Sequence, residues 1–237
     1  MWATTRRWLL EERHLDVTRE PAQVAIFGHA INGGMRIGEN SETTVRGLFA
    51  AGEAAGGPHG ADRLGGNMVN NLMVFGKRMG RFAAERAREE APRWRADGLV
   101  AEEESRLQSL LARHGVVKPL DLKRRLQQAM WRGALVVRDQ EKLQACLQEL
   151  GGMRATWETN LLVGDSRELW RALEVESMLE VGEIMVRSAL LRTESRGSHY
   201  REDHPQRDDA HWEHSIVTRR VDGKMEQYSV RLPRLSS

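Results

Sequence analysis

The sequence predicts an α+β protein: short strands and one long helix, then a three-helix bundle, then a terminal β-hairpin. Three observations predict it. Residues 24–52 are rich in Val, Ile, Gly and Phe and are broken by Gly33, Gly34, Gly38 and Gly47, the pattern of short strands with tight turns. Apolar residues then recur at three- and four-residue spacing from Met68 to Ala83, and three later stretches each place theirs on one face, as amphipathic helices require. The last segment alternates, as SIVTRRV and MEQYSVRL around Asp222-Gly223, a hairpin signature.

In chain order, Val45–Ala51 reads as the best buried strand. It runs into GEAAGGPHGADRLGG, which has six glycines in 15 residues, so its backbone must take positive φ angles or approach something closely. From Asn67 onward Met68, Leu72, Phe75, Met79 and Ala83 form one helix face, ending in ERAREE before Pro92; Gly76 and Gly80 on this helix predict close backbone packing. The polar stretch Pro92–Gly98 marks a boundary. Beyond it, Leu120, Leu126 and Met130, then Leu143, Leu147 and Leu150, then Met178, Val181, Met185 and Ala189 give each of three helices one apolar face, which an antiparallel bundle would bury. The segment SHYREDHPQRDDAHWEH after Gly197 is too polar to be core. The expected divisions are 1–97, 98–195 and 196–237.

Composition excludes several classes. Of the 237 residues, 36 are Lys or Arg and 34 are Asp or Glu, a balance without the basic excess of a nucleic-acid binder. The one cysteine, Cys146, can form neither an intramolecular disulfide nor a thiolate metal or iron–sulfur site, so no metal is expected and a reducing cytoplasm fits. The first thirty residues lack a signal-peptide core, and no window approaches the roughly 20 apolar residues of a membrane span.

Four constellations could carry chemistry. In HAINGG, His29 is either a hydrogen-bonded histidine at a strand end or an imidazole facing a carboxylate. In GLFAAGE, Glu53 is either a solvated turn residue or the acid that accepts ligand hydroxyls at a strand's carboxyl end. In HGADRLGGNM, Arg63 is a bidentate carboxylate clamp or the partner of Asp62 or Glu53 in a surface ion pair. It precedes a helix start at Asn67, Met68 and Val69 whose amides attract anionic groups. In RTESRGSHYRED, Arg192, Glu194, Arg196, His199, Arg201 and Asp203 form a solvated loop, an interdomain ion-pair network, or a face toward substrate or partner.

Taken in order, HAINGG, GLFAAGE, HGADRLGGN and SRGSHYRED resemble the succinate dehydrogenase, fumarate reductase and L-aspartate oxidase flavoprotein superfamily. It has the elements His-x-x-x-Gly-Gly, Gly-Leu-Phe-Ala-x-Gly-Glu, His-Gly-Ala-Asn-Arg-Leu-Gly-x-Asn and Ser-Arg-Gly-x-His-x-Arg-x-Asp. The resemblance implies the C-terminal piece of an FAD-binding α/β domain followed by the helical bundle, with FAD as cofactor. It implies that His29 and Arg63, with Arg196 and His199, bind the substrate carboxylates. Glu53 would bond a hydroxyl of the flavin's ribityl or dinucleotide part, and Asn67, Met68 and Val69 would face the flavin ring. The reaction implied is hydride exchange between flavin and a substrate C–C or C–N bond.

Three departures qualify the carry-over. Asp62 stands where the family has Asn, a negative charge beside the substrate arginine. AIFG precedes His29 in place of the family's usual lead. No G-x-G-x-x-G follows any strand, so the phosphate-binding turn is expected from an N-terminal FAD-binding segment or subunit, without which the chain should be inactive. The other partners expected are a small carboxylate substrate and an iron–sulfur electron-transfer subunit. The expected location is the cytoplasm, or the inner-membrane periphery through a partner. Two rivals remain: a non-catalytic scaffold docking that iron–sulfur subunit, and a flavoprotein of the same fold acting on an amino acid or an inorganic sulfur compound.

Overall fold

A computed structural model describes residues 2–23, 28–89 and 98–231; the first three residues of the AIFG lead and most of the Pro92–Gly98 boundary lie outside them. The chain begins with helix α1 (Trp2–Arg13), which no strong apolar periodicity announces. Two-residue strands β1 (Met35–Arg36) and β2 (Ala55–Gly56) pair in parallel, and the glycine loop then leads into α2 (Asn67–Glu89). Helices α3 (Leu99–Leu111), α4 (Pro119–Ala134), α5 (Gln140–Thr159) and α6 (Ser166–Leu191) follow. Strand β3 (Val137–Arg138), between α4 and α5, pairs in parallel with β4 (Tyr200–Arg201). A short helix α7 (Asp209–Trp212) precedes the antiparallel hairpin β5 (His214–Val221) and β6 (Lys224–Arg231). Mixed helix and short strand is the predicted class.

The core is the bundle. Besides Pro119 and Ala134 at the two ends of α4, its buried positions are Leu122, Leu126, Ala129 and Gly133 on α4, Leu143, Cys146, Leu150, Met153 and Trp157 on α5, and Ala172, Val175, Leu179, Gly182, Val186 and Ala189 on α6. Each set steps by three or four, the spacing that lets three helices share one apolar seam. Side-chain caps fix where two of them start: Asp139 accepts from Lys142 N–H at 2.7 Å and Asp165 from Glu168 N–H at 2.8 Å. Among the described residues no helix is long and apolar enough to cross a membrane.

Four sequence expectations need correction. Val45–Ala51 is not a continuous strand: Thr43 and Leu48 close a turn around Gly47, whose φ is 83°, Val45 is 60% exposed, and only Phe49 forms a bridge, an isolated one to Glu42. The Gly76 and Gly80 positions face open space, so they mediate no close packing. The seam of α6 runs through Leu179 and Gly182, with Val181 outside it; a glycine at 182 lets Met130 and Leu150 approach within van der Waals contact. Finally, the charged segment is not wholly solvated: Glu194 and Arg201 are 0% and 1% exposed. The hairpin stands as expected, with Asp222 and Gly223 at φ 47° and 75° making a turn whose twist suits the two strands.

Arg201 is buried because it closes two helix ends at once. Its Nη1 donates to Ala189 O at 2.7 Å and, less closely, to Leu190 O and Arg192 O, the carbonyls that the C-terminus of α6 leaves without intrahelical partners. Its Nε and Nη2 grip Asp203 at 2.7 and 2.6 Å, and Asp203 accepts from Gln140 N–H, the first amide of α5, at 2.9 Å. A cation thus sits at a helix C-terminus and an anion at a helix N-terminus, both favoured by the helix dipoles. The Arg201 bonds hold the Asp203 carboxyl well below the usual carboxylate range. A carboxyl so depressed stabilises the fold fully above about pH 4 and loses that contribution as pH falls. Asp203→Asn should lower unfolding free energy at pH 7 by about 3 kcal/mol, the lower end for breaking a buried pair, as measured by urea denaturation. A loss below about 1 kcal/mol would mean that Arg201 needs no anionic partner.

Candidate functional site

The site is assembled from three segments far apart in sequence. The first, 28–34, is irregular, with His29 on its exposed side. Its position is fixed by Glu53, in the turn Gly52–Ala54, whose Oε1 accepts from Ile31 N–H at 2.8 Å, and by the β1–β2 pairing just beyond it. Gly34 is required there, because a Cβ would lie 2.7 Å from the Ala54 carbonyl and from Gly56 N. Glu53 is therefore not a purely solvated turn residue: one carboxylate oxygen holds the HAINGG backbone, and the other accepts no hydrogen bond from a described residue.

The second segment is the loop 57–66, where Gly57, Gly60 and Gly66 take the positive φ values that the glycine content predicts. Asp62 Oδ1 accepts from Arg63 N–H at 2.9 Å and from Asn32 Nδ2 at 3.2 Å. The guanidinium of Arg63, in contrast, makes no ion pair with Asp62, Glu53 or any other described residue, so the surface-pair alternative is not what forms. His59 Nε2 and Asn71 Oδ1 are buried without a hydrogen-bond partner, an arrangement that ordinarily costs about 1–3 kcal/mol per group and invites a ligand or water. At the start of α2, Asn67 N–H and Val69 N–H are taken by Leu64 O and Gly66 O, while Met68 N–H donates to no described residue.

The third segment is the turn 196–199. Gly197, at φ 56°, lies so close to the second segment that a Cβ would meet Ala61 O at 2.5 Å. Ser198 Oγ donates to Ala61 O at 3.3 Å and accepts from Asn32 Nδ2 at 3.1 Å. Asn32, Asp62 and Ser198 thus join all three segments. The sequence gives Asn32 and Asp62 no visible role in assembly, and Ser198 sits at a variable position of its motif; only the tertiary contact singles it out.

The side chains of Arg196 and His199 turn away from this junction. Arg196 grips Glu194 through Nε at 2.7 Å and Nη2 at 3.0 Å, and Asp209 at 2.7 Å. Glu194 also receives Arg192 at 2.6 Å and Asp208 N–H at 2.8 Å. Burial alone would raise the Glu194 carboxyl, but the bonds from Arg196, Asp208 and Arg192 outweigh it and keep it ionised. His199 Nδ1 accepts from Arg138 at 3.1 Å and Nε2 lies 3.4 Å from Arg192 O, which selects the neutral ring protonated on Nε2. Among the charged constellation, then, these residues form an internal ion-pair network.

The comparisons with known proteins follow the same three segments. Residues 7–69 match an FAD binding domain and residues 123–235 match the fumarate reductase flavoprotein C-terminal domain. The chain belongs to the fumarate reductase and succinate dehydrogenase flavoprotein superfamily. It is 39% identical over 215 residues to a chain of the CoM/CoB fumarate reductase of Methanothermobacter marburgensis, covering 90% of this chain and 38% of that protein. It is 34% identical over 226 residues to the fumarate reductase flavoprotein of Mycobacterium tuberculosis, covering 90% and 39%. The E. coli quinol fumarate reductase FrdA structure superposes with a TM-score of 0.90 at 28% identity, over 99% of this chain and 42% of FrdA. The chain therefore spans about two fifths of the length of these relatives.

The superfamily's cofactor is FAD, and the residues present fit it. The second Glu53 oxygen accepts from no described residue, Met68 N–H is open at the positive end of a 23-residue helix, and the orphaned atoms of His59 and Asn71 belong to the same loop and the helix it enters.

The His199 environment yields a pH prediction. Burial first, then the positive charges of Arg138 and Arg192, depresses its pKa from 6.5 to about 4. The unfolded chain binds a proton that the folded chain refuses, so the stability tied to this ring is full above pH 6.5 and is lost as pH falls toward 4. Urea midpoints measured across that interval should fall, and His199→Gln should reduce the slope. An unchanged slope would show that the ring is protonated in the folded protein.

Proposed function

We propose that this chain, joined to an N-terminal FAD-binding segment or subunit, works as an FAD-dependent oxidoreductase of the fumarate reductase and succinate dehydrogenase kind. Its substrate is a small carboxylate. The observation that carries the reading is the Arg63 guanidinium, which lacks an anionic partner among the described residues although Asp62 is its neighbour in sequence. A guanidinium kept free beside a glycine loop and a helix N-terminus suits the bidentate grip of a carboxylate.

In this reading Arg63 and His29 hold a substrate carboxylate and orient the reacting carbons. Glu53 accepts a hydroxyl of the cofactor through its remaining oxygen while its other oxygen keeps Ile31, and hence His29, in place. The Met68 amide, with Asn67 and Val69 around it and the α2 dipole behind it, supplies positive potential to an electron-rich ring. FAD, when bound, supplies the hydride chemistry exchanged with the substrate. Arg196 and His199 enter through the turn between them, which the Glu194 and Arg138 contacts hold against Ala61; direct substrate contact by either side chain would require exchanging those bonds. An iron–sulfur protein is the proposed electron-transfer partner, and the proposed location is cytoplasmic, with peripheral membrane attachment through partners.

The test uses the flavin-loaded protein produced with its upstream coding segment. Succinate should bleach the oxidised flavin band near about 450 nm, or fumarate should restore it after reduction. Arg63→Lys should raise the dicarboxylate KM about tenfold, the worth of one lost charge-assisted hydrogen bond. A folded product without flavin would favour the non-catalytic docking scaffold. Flavin that responds to an amino acid or a sulfur oxyanion and not to a dicarboxylate would favour the alternative substrate class.

A further inference from the structure

Arg63 and Asp62 are adjacent residues of opposite charge on an exposed loop, and the simplest arrangement for such a pair is a salt bridge. That bridge would occupy the guanidinium that the proposed substrate needs. Here the Asp62 carboxylate is instead engaged by neutral donors: Arg63 N–H at 2.9 Å and Asn32 Nδ2 at 3.2 Å. The second hydrogen of the same Asn32 amide goes to Ser198 Oγ at 3.1 Å, and Ser198 passes its own hydrogen to Ala61 O at 3.3 Å.

The orientation of the Asn32 amide is dictated chemically. A carboxylate can only accept, so Nδ2 must face Asp62, and the opposite flip would set two acceptors against each other. The consequence is visible on the other side of the group, where Asn32 Oδ1 is buried without a partner. An acceptor left unsatisfied marks a side chain chosen for what its donors do. Both of its hydrogens are spent on the loop carrying Arg63 and on the turn 196–199, and among the described residues no backbone–backbone bond joins the HAINGG segment to either.

We propose that Asn32 is a positioning residue that keeps Asp62 turned away from the Arg63 guanidinium, and so determines how tightly the site binds a dicarboxylate. The inference rests on the carboxylate-binding role assigned to Arg63 above. It also accounts for the negative charge beside Arg63: Asp62 is a permanent acceptor, and Asn32 supplies the donor that an acceptor at this position needs.

A double-mutant cycle tests this, with titration of malonate, a dicarboxylate that lacks the carbon–carbon bond to be oxidised or reduced, into the flavin-loaded protein by calorimetry. Asn32→Leu keeps the side-chain shape and removes the orphaned carbonyl, so the protein should stay folded, which its thermal midpoint checks. With the Asn32 donor gone, Asp62 competes for Arg63, and malonate should bind about fivefold more weakly, the scale of one exposed ion pair. Adding Asp62→Asn removes the competing charge, so N32L/D62N should bind malonate within about twofold of D62N alone, as sites that no longer interact should. Wild-type affinity in N32L overturns the proposal, as does N32L/D62N staying as weak as N32L, because then Asn32 acts only as a tie between segments. If Arg63→Lys leaves malonate affinity unchanged in every background, the carboxylate role of Arg63 fails and this inference fails with it; weakened binding in R63K together with a silent N32L overturns the inference alone.

Discussion

The arrangement depends on keeping charge inside a helical bundle. Arg201 is 1% exposed, and an ion in that position is tolerable only if every donor finds an acceptor and the charge is matched. Carbonyls at the end of α6 and the Asp203 carboxylate meet both conditions. Because Asp203 in turn holds the first amide of α5, the chain leaving α6 has no freedom to wander. It must fold back along the bundle, pairing β4 with β3 as it goes.

That return path governs the candidate site. Between the α6 end and Arg201 lies the turn 196–199, fastened on one side by Glu194, which receives Arg192 and Arg196, and on the other by His199 against Arg138. With both ends fixed, the Gly197–Ser198 corner is presented to Ala61. A buried electrostatic network in the helical part therefore positions a loop of the N-terminal part. The network has no need to touch a substrate to affect one, since displacing the corner would release Asn32 and the loop it holds.

How much of this is legible in the sequence follows from the range of the interactions. The three bundle helices, α2 and the hairpin are readable because their signals are local: an apolar face at helical spacing, an Asp-Gly turn. Val45–Ala51 misleads because its β-rich composition is local too, yet Gly47 bends the run into a turn and neighbouring strands decide whether such residues pair. The motifs around His29, Glu53 and Arg63 are recognisable as strings. The burial of Arg201 is not, because the polarity that marks a solvated loop is the same polarity that satisfies two helix ends, and only the fold distinguishes them.

The same limit applies to Asp62. Along the chain, an aspartate next to the arginine proposed to hold the substrate looks like a defect, since a salt bridge between neighbours is the default. The fold brings in a third residue, 30 positions away, whose amide engages the carboxylate without carrying charge. A lysine or arginine at 32 would hold Asp62 equally well but would add a second cation beside Arg63, a competing hold on any anion that entered. A leucine would leave Asp62 free to turn toward Arg63. A neutral donor with two hydrogens meets both demands, and it accounts for the unpartnered Oδ1 that Asn32 keeps in the interior.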